Sequence, residues 1–257
     1  MRKLLNTLYI TSNDYYLSLD GENVVITQGK KEVGRLPLHN LEAVVTCGYA
    51  GASPALMEKC AAENISMTFL SVTGRFRAKV TGKAYGNILL RRTQYRIADD
   101  EKRTLEVAVN FIIGKIHNER SVVNRAIRDY AERLDTEKLS KVSEQLKEAL
   151  QAVKKAETME ELRGYEGEAA SRYFSQFDQL ILQQKTEFSF HARNRRPPLD
   201  NVNALLSFTY SLLTAMCVAA LETVGLDPYA GFMHTDRPGR CSLALDLFRR
   251  TQGALCR

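Results

Sequence analysis

The chain has 257 residues, with 36 Lys plus Arg against 30 Asp plus Glu, a formal charge of +6 and an isoelectric point near 9.0. That is enough chain for one large domain or two ordinary ones, and 44% hydrophobic with 26% charged residues excludes disordered and fibrous classes. No run of 18 consecutive apolar residues occurs, since even segment 204–224 is broken by Ser207, Thr209, Ser211, Thr214 and Glu222, so no membrane span is expected. The start of the chain lacks the apolar core of an export signal. Its five cysteines are scattered, odd in number and form no C-x-x-C pair. A reducing, cytoplasmic compartment is the expectation.

Residues 1–97 hold 13 basic and 7 acidic side chains, whereas residues 98–257 hold 23 of each. Arg75, Arg77, Lys79, Lys83, Arg91, Arg92 and Arg96 fall in a stretch without Asp or Glu, interleaved with Phe76, Tyr85 and Tyr95. Such a stretch can neutralise phosphates, and it is equally the pattern of a solvated strand and loop with an unbalanced face.

The first third reads as β-rich: segments 8–10, 15–19, 23–27, 33–36, 41–47 and 65–70 are short strand-favouring runs separated by turn residues. Asp20-Gly21 predicts a hairpin with a type I′ turn. Segment 54–63 has helical spacing, with Ser53 placed as its cap and Pro54 in its first turn. Near Leu89 the apolar period changes. Segments 99–134, 136–156, 158–188 and 200–224 are long, poor in Pro and apolar at three- and four-residue spacing. Segment 138–156 mixes charges of both signs and reads as a solvated helix. The stretch from Arg193 to Asp200 contains Pro197-Pro198, which stop one helix, and Asp200 can cap the next. The expected architecture is therefore α+β, a β-rich domain over 1–97 followed by a larger all-helical domain over 98–257.

Two places stand out chemically. Leu162-Arg163-Gly164-Tyr165-Glu166-Gly167-Glu168 puts two glycines in a helical pattern, each costing about 1 kcal/mol relative to Ala. The favoured reading is that Gly164 closes one helix and Glu166 decorates the next one's first turn. The alternative is one helix with a close backbone approach around Glu166. The second place is His234, which stands between Gly231-Phe232-Met233 and the basic turn Thr235-Asp236-Arg237-Pro238-Gly239-Arg240, where a loop edge can be held rigidly and still meet a substrate. Phosphate-loop, dinucleotide, nucleophile-elbow and H-E-x-x-H motifs are missing. The remaining donors, Glu166, His234 and Asp246, suit Mg²⁺ or Mn²⁺ better than zinc because oxygen ligands dominate and thiolates are absent from the set.

Taken together, Leu4-Leu5-Asn6-Thr7-Leu8-Tyr9, Leu17-Ser18-Leu19-Asp20-Gly21-Glu22, Arg195-Arg196-Pro197-Pro198-Leu199-Asp200, His234-Thr235-Asp236-Arg237-Pro238-Gly239-Arg240 and Leu243-Ala244-Leu245-Asp246-Leu247 resemble the CRISPR adaptation integrase and endonuclease family, in its type I-C-like branch. The resemblance spans nearly the whole chain. It implies a β-rich domain used for homodimerisation, a helical domain with one metal site, DNA (spacer precursor and repeat array) as substrate, and a small CRISPR-associated partner protein. The family's catalytic glutamate falls on Glu166 and its histidine on His234. Its third ligand usually stands one helical turn after Asp246, where this chain has Arg249, which offers no lone pair. Only 11 residues follow Asp246, none of them acidic, so a truncation or shifted frame near Phe248 is expected.

The implied reaction is attack of a 3′-hydroxyl on a phosphodiester, and the DNA contacts nominated beside it are Arg163, Arg193, Arg195, Arg196, Arg237 and Arg240. A competing expectation is a catalytically empty DNA-binding or assembly subunit of the same fold. A third is an unrelated helical scaffold.

Overall fold

A computed structural model describes residues 6–82, 87–194 and 197–251, with the side chains of 249–251 excepted. The chain divides into two compact units, residues 1–86 with 223–225, and residues 87–222 with 226–257. It is α+β, strands first and helices after.

In the β-rich unit, strands β1 (Thr7–Ile10), β5 (Ala43–Cys47), β7 (Ser66–Leu70) and β8 (Phe76–Val80) form one sheet in the order β1-β5-β7-β8. The first three pair in parallel, and β8 closes the edge antiparallel to β7. Strands β2 (Tyr15–Asp20), β3 (Asn23–Gln28), β4 (Lys31–Pro37) and β6 (Gly51–Ala52) form the second sheet, ordered β4-β3-β2-β6. The β2–β3 hairpin pairs Asp20 with Asn23, so Gly21 and Glu22 are the loop. Gly21 has φ +57°, while Glu22 is not among the residues with positive φ. The turn therefore follows the II′ pattern, with Gly first, and not the I′ pattern expected from Asp20-Gly21.

Helix α1 (Pro54–Ala62) begins as the sequence predicts: the Ser53 hydroxyl accepts from the Leu56 N–H, with Pro in the first turn. Leu17, Val24, Leu38, Val44, Leu56, Cys60 and Met67 fill the core.

The helical unit contains α2 (Ile88–Ala98), α3 (Glu101–Tyr130), α4 (Thr136–Val153), α5 (Met159–Ser175), α6 (Asn201–Thr223) and α7 (Ser242–Thr251). Asn87, Asp100, Asp135 and Thr158 cap the first four through side-chain oxygens that satisfy otherwise unpaired N–H groups. Because α2 belongs here, the boundary lies one helix earlier than the charge partition placed it. Arg91, Arg92 and Arg96 move with it. The helical unit then holds 26 basic and 23 acidic residues and the β-rich unit 10 and 7, so neither is neutral.

Helix α4 is amphipathic, not solvated all round: Leu139, Val142, Leu146 and Val153 are buried in a core shared with Ile112 and Ile116 of α3 and Leu162 and Tyr173 of α5. Helix α5 ends at Ser175, well short of the expected 188. There Tyr173, Phe174, Phe177 and Phe190 gather edge to face, and Asp178 accepts from the Phe190 N–H at 2.8 Å, turning the chain out of the helix. A groove of about 340 Å³ lined by Phe177, Ile181, Phe188, Val202 and Leu206 contains none of the residues nominated for chemistry.

Among the described residues, α6 is long and apolar enough to cross a membrane by length and composition, contrary to the expectation of no span, and only 11% of its most apolar window is buried. Thr209, Ser211 and Thr214, which interrupt it, bond backbone carbonyls one turn back. Its later part packs with α7 through Cys217, Leu221, Leu243, Ala244 and Phe248.

Candidate nucleic-acid-processing site

Helix α5 runs unbroken through Gly164 and Gly167, so Gly164 does not end a helix and the favoured expectation is overturned. A Cβ built on either glycine meets nothing within 4 Å. Among the described residues no backbone crowds them, so the alternative of a close internal approach is not met there either. The glycines leave open space at their own positions, and Gly164, two residues before Glu166, faces the other side of the helix.

Arg163 and Glu166 are three residues apart, on one face of α5. Arg163 Nη2 donates to the Met233 carbonyl at 2.9 Å, which brings that face to the residue before His234. The loop leading to His234 is held from α2 as well. Buried Gln94 donates to the carbonyls of Asp227 and Ala230 at 2.7 and 2.9 Å and accepts from the Asp227 N–H at 2.8 Å. Tyr95 Oη donates to the Asp227 carboxylate at 2.6 Å, and that bond raises the Tyr95 phenol above its usual pKa.

Asp246 is fully buried on α7. Its Oδ2 accepts from the N–H groups of Phe232 and Met233 at 2.7 and 3.0 Å, and its Oδ1 from the His234 N–H at 3.2 Å. The His234 Nδ1 lies 2.5 Å from the same Oδ1. An ionised carboxylate only accepts, so Nδ1 carries the proton and Nε2 carries the lone pair of the neutral ring. Gly231 makes this possible: a Cβ there would stand 2.6 Å from Ser242 Cβ and 3.0 Å from Asp246 Oδ2. Only glycine lets the loop backbone come this close to α7.

Beneath Glu166 lies a buried charge cluster. Lys115 on α3 forms an ion pair with Glu166 Oε1, and Glu119, one turn further along α3, has its Oε1 3.8 Å from the same ammonium. Neither Lys115 nor Glu119 stood out in the sequence. The signal was available in Lys115-Ile116-His117-Asn118-Glu119, where a charged pair at i,i+4 falls on the apolar stripe Ala108, Ile112, Ile116 and Val123.

The nominated arginines divide. Arg163 engages the loop as described. Arg240 Nη2 donates to the Thr235 carbonyl, bracing the turn after His234. Arg193 donates to Asn194 O, to Asn203 Oδ1 at 2.7 Å and to Ser207 Oγ at 3.4 Å, and stacks over the Tyr210 ring. These three hold the chain's own loops. Arg237 is exposed in its turn, and Arg195 and Arg196 lie outside the described residues. The basic stretch of the first third is also divided. Arg75, Arg77 and Lys79 belong to the β-rich unit, Arg91, Arg92 and Arg96 to α2, while Lys83 and Tyr85 lie outside the described residues.

Two side chains of the donor set could hold a metal ion. Glu166 could offer an oxygen and His234 a nitrogen, with Asp246 behind the imidazole in the place of the orienting carboxylate that metal-bound histidines commonly have. Asp246, expected as the third ligand, already accepts four donors. Among the described residues no group of three His, Cys, Asp or Glu is placed to hold an ion. A Mg²⁺-type site can nevertheless use one or two protein donors and complete its shell with water and phosphate oxygen.

A nucleic-acid-processing class fits a helical unit that holds an oriented imidazole at the edge of an exposed arginine turn and ties the helix carrying Glu166 to the same loop through Arg163. The sequence model of the family described as CRISPR associated protein Cas1 matches residues 8–250, and the chain belongs to that family. It is 48% identical over 247 residues to a protein of Chlorobaculum tepidum named CRISPR-associated endonuclease Cas1 1, covering 96% of this chain and 72% of the relative. Among solved structures it resembles a chain of a Cas6-RT-Cas1–Cas2 complex, at 25% identity and TM-score 0.72, over 97% of this chain and 27% of that one. It also shares the fold of a casposase bound to integration product, at 22% identity and TM-score 0.77, over 98% of this chain and 72% of the casposase.

Proposed function

We propose that this chain is a cytoplasmic DNA endonuclease and integrase that inserts new spacers into a CRISPR array. The 3′-hydroxyl of a captured fragment attacks a phosphodiester at the repeat boundary and a 3′-oxygen leaves, so one phosphodiester replaces another and no nucleotide is consumed. The observation that carries this reading is the tie between Arg163 and Met233, which brings the Glu166 face of α5 to His234 while Asp246 fixes the imidazole. The endonuclease name of the Chlorobaculum tepidum relative supports it.

Glu166 and His234 would hold Mg²⁺ or Mn²⁺, which when bound polarises the scissile phosphate and offsets charge on the leaving oxygen. The protein's own part is positional. Asp246 keeps His234 Nε2 presented, and Lys115 holds the Glu166 carboxylate until an ion takes it. Arg237 supplies phosphate contact, and Arg195 and Arg196 are proposed to add to it.

For partners, the reading includes a second copy of the chain through the β-rich unit, where Tyr9, Tyr16, Tyr49 and Phe76 are exposed. It also includes a small CRISPR-associated protein, in keeping with the Cas2 named in the solved complex.

A second reading, a DNA-binding assembly subunit without catalysis, is favoured by the saturation of Asp246 and by Arg249 one turn beyond it. A strand-transfer assay with Mn²⁺ on the chain, Glu166→Ala and His234→Ala separates the two. Product from the unaltered chain that both variants lose supports the integrase. Equal background product from all three, with salt-sensitive DNA binding intact, leaves the assembly subunit.

A further inference from the structure

Among the described residues, the buried cluster under Glu166 sets one ammonium between two carboxylates. The side chains of Lys115, Glu119 and Glu166 are 4%, 1% and 14% exposed, so Glu166 alone has an outlet toward solvent. Burying an ammonium is costly unless a carboxylate meets it, and a single well-placed carboxylate suffices. The second one, Glu119, is sealed off on the ammonium's own helix and also has to be desolvated.

The arrangement does have a use if Glu166 must be released. An ammonium and a divalent ion on one carboxylate repel strongly where the dielectric is low, so an ion reaches Glu166 only as Lys115 moves off. Glu119 lies at i,i+4 on α3, with its Oε1 already 3.8 Å from the ammonium. The four-carbon lysine stem can carry the charge between the two carboxylates without leaving the interior.

We propose that Lys115 is a positioning residue with two berths: it holds Glu166 while the site is empty of ion and transfers to Glu119 when a divalent cation takes Glu166. This rests on the reading of Glu166 as an ion ligand. Lys115 is thereby an internal competitor that sets the affinity of the site, and Glu119 is its reserve partner.

The test is Mn²⁺ binding to the full chain without DNA, by calorimetry and by loss of the free-ion electron paramagnetic resonance signal, so the readout is independent of strand transfer. Lys115→Met leaves two buried carboxylates facing each other, so Lys115→Met/Glu119→Gln, which keeps the local charge balance, is measured beside it. The expected result is Mn²⁺ binding tightened about tenfold or more in the double variant, weakened in Glu119→Gln, where the ammonium has lost its second berth, and lost in Glu166→Gln. A purely structural lysine would give weaker binding on removal, never tighter. Glu166-dependent binding that does not tighten in the double variant overturns the proposal alone. Binding equal in the unaltered chain and Glu166→Gln overturns the ligand reading, and no binding in either the unaltered chain or the double variant overturns both.

Discussion

The two units carry the same small excess of positive charge and handle charge in opposite ways. Among the described residues, the polar groups buried in the β-rich unit are the hydroxyls Thr46 and Thr68, and its ion pairs, such as Arg35 with Asp20 and Lys59 with Glu22, stand at the surface. The helical unit buries Lys115, Glu119 and Asp246 together with Gln94, Asn203, Ser143 and Ser242. Net charge therefore says little about where charge matters. A pair in water is screened, whereas the same pair behind a core acts at low dielectric and must be answered by a specific partner.

The sharpest break of this comparison is a matched pair of substitutions. Asp246→Ala removes the acceptor of three backbone N–H groups and one imidazole, and is expected to cost the helical unit about 3–5 kcal/mol in denaturant unfolding. Arg35→Ala, which removes surface ion pairs in the β-rich unit, is expected to leave the unfolding midpoint in place. Equal effects would show that burial does not separate the units.

Acid unfolding sharpens it next. Burial alone would raise the Asp200 carboxyl, but hydrogen bonds from the Asn203 side chain and backbone and from Asn194 outweigh it and hold the group below its ordinary value of 3.8. A carboxyl depressed on folding adds stability above its unfolded pKa, and that stability is lost as pH falls through the folded value. Asp178, also opposed by burial but held down by Lys185 and the Phe190 N–H, acts in the same direction. The helical unit should therefore weaken below about pH 4, and Asp200→Asn, which can still cap α6, should flatten that limb of a pH–stability curve. An unchanged limb would remove Asp200 from the account.

The smallest expected effect concerns Gly164. With nothing near its Cβ position, Gly164→Ala should stabilise α5 by about 0.5–1 kcal/mol. Because Gly164 faces the other side of α5 from Glu166, strand transfer and DNA affinity should stay unchanged. A loss of affinity with added stability would show that this face of α5 also meets DNA.

Much of the framework was legible in order. The strands of the first third, the Ser53 cap, the Asp200 cap and the long helices follow from local spacing and local hydrogen-bonding chemistry, and the structure repeats them within a few residues. The exceptions are cases where distant residues intervene: Phe190 and Asp178 stop α5 early, and Leu139, Val142 and Leu146 turn a charge-rich helix into a core element. At the site, Glu166 and His234 were visible as anomalies of their segments. Lys115 and Glu119 did not stand out, because an i,i+4 charge pair reads as a solvated face unless its place on the apolar stripe is weighed.

Composition, periodicity and caps thus determined the α+β order of the chain and marked Glu166 and His234 as unusual in their segments, since these depend on neighbours a few residues away, while their proposed roles came from the family resemblance. Tertiary structure alone decided which groups meet. It made Asp246 an acceptor for the His234 loop, tied Arg163, Arg193 and Arg240 to groups of the chain itself, and set one ammonium between two carboxylates. Those outcomes depend on which groups lose water together, and burial is a property of the packed chain and not of any segment within it.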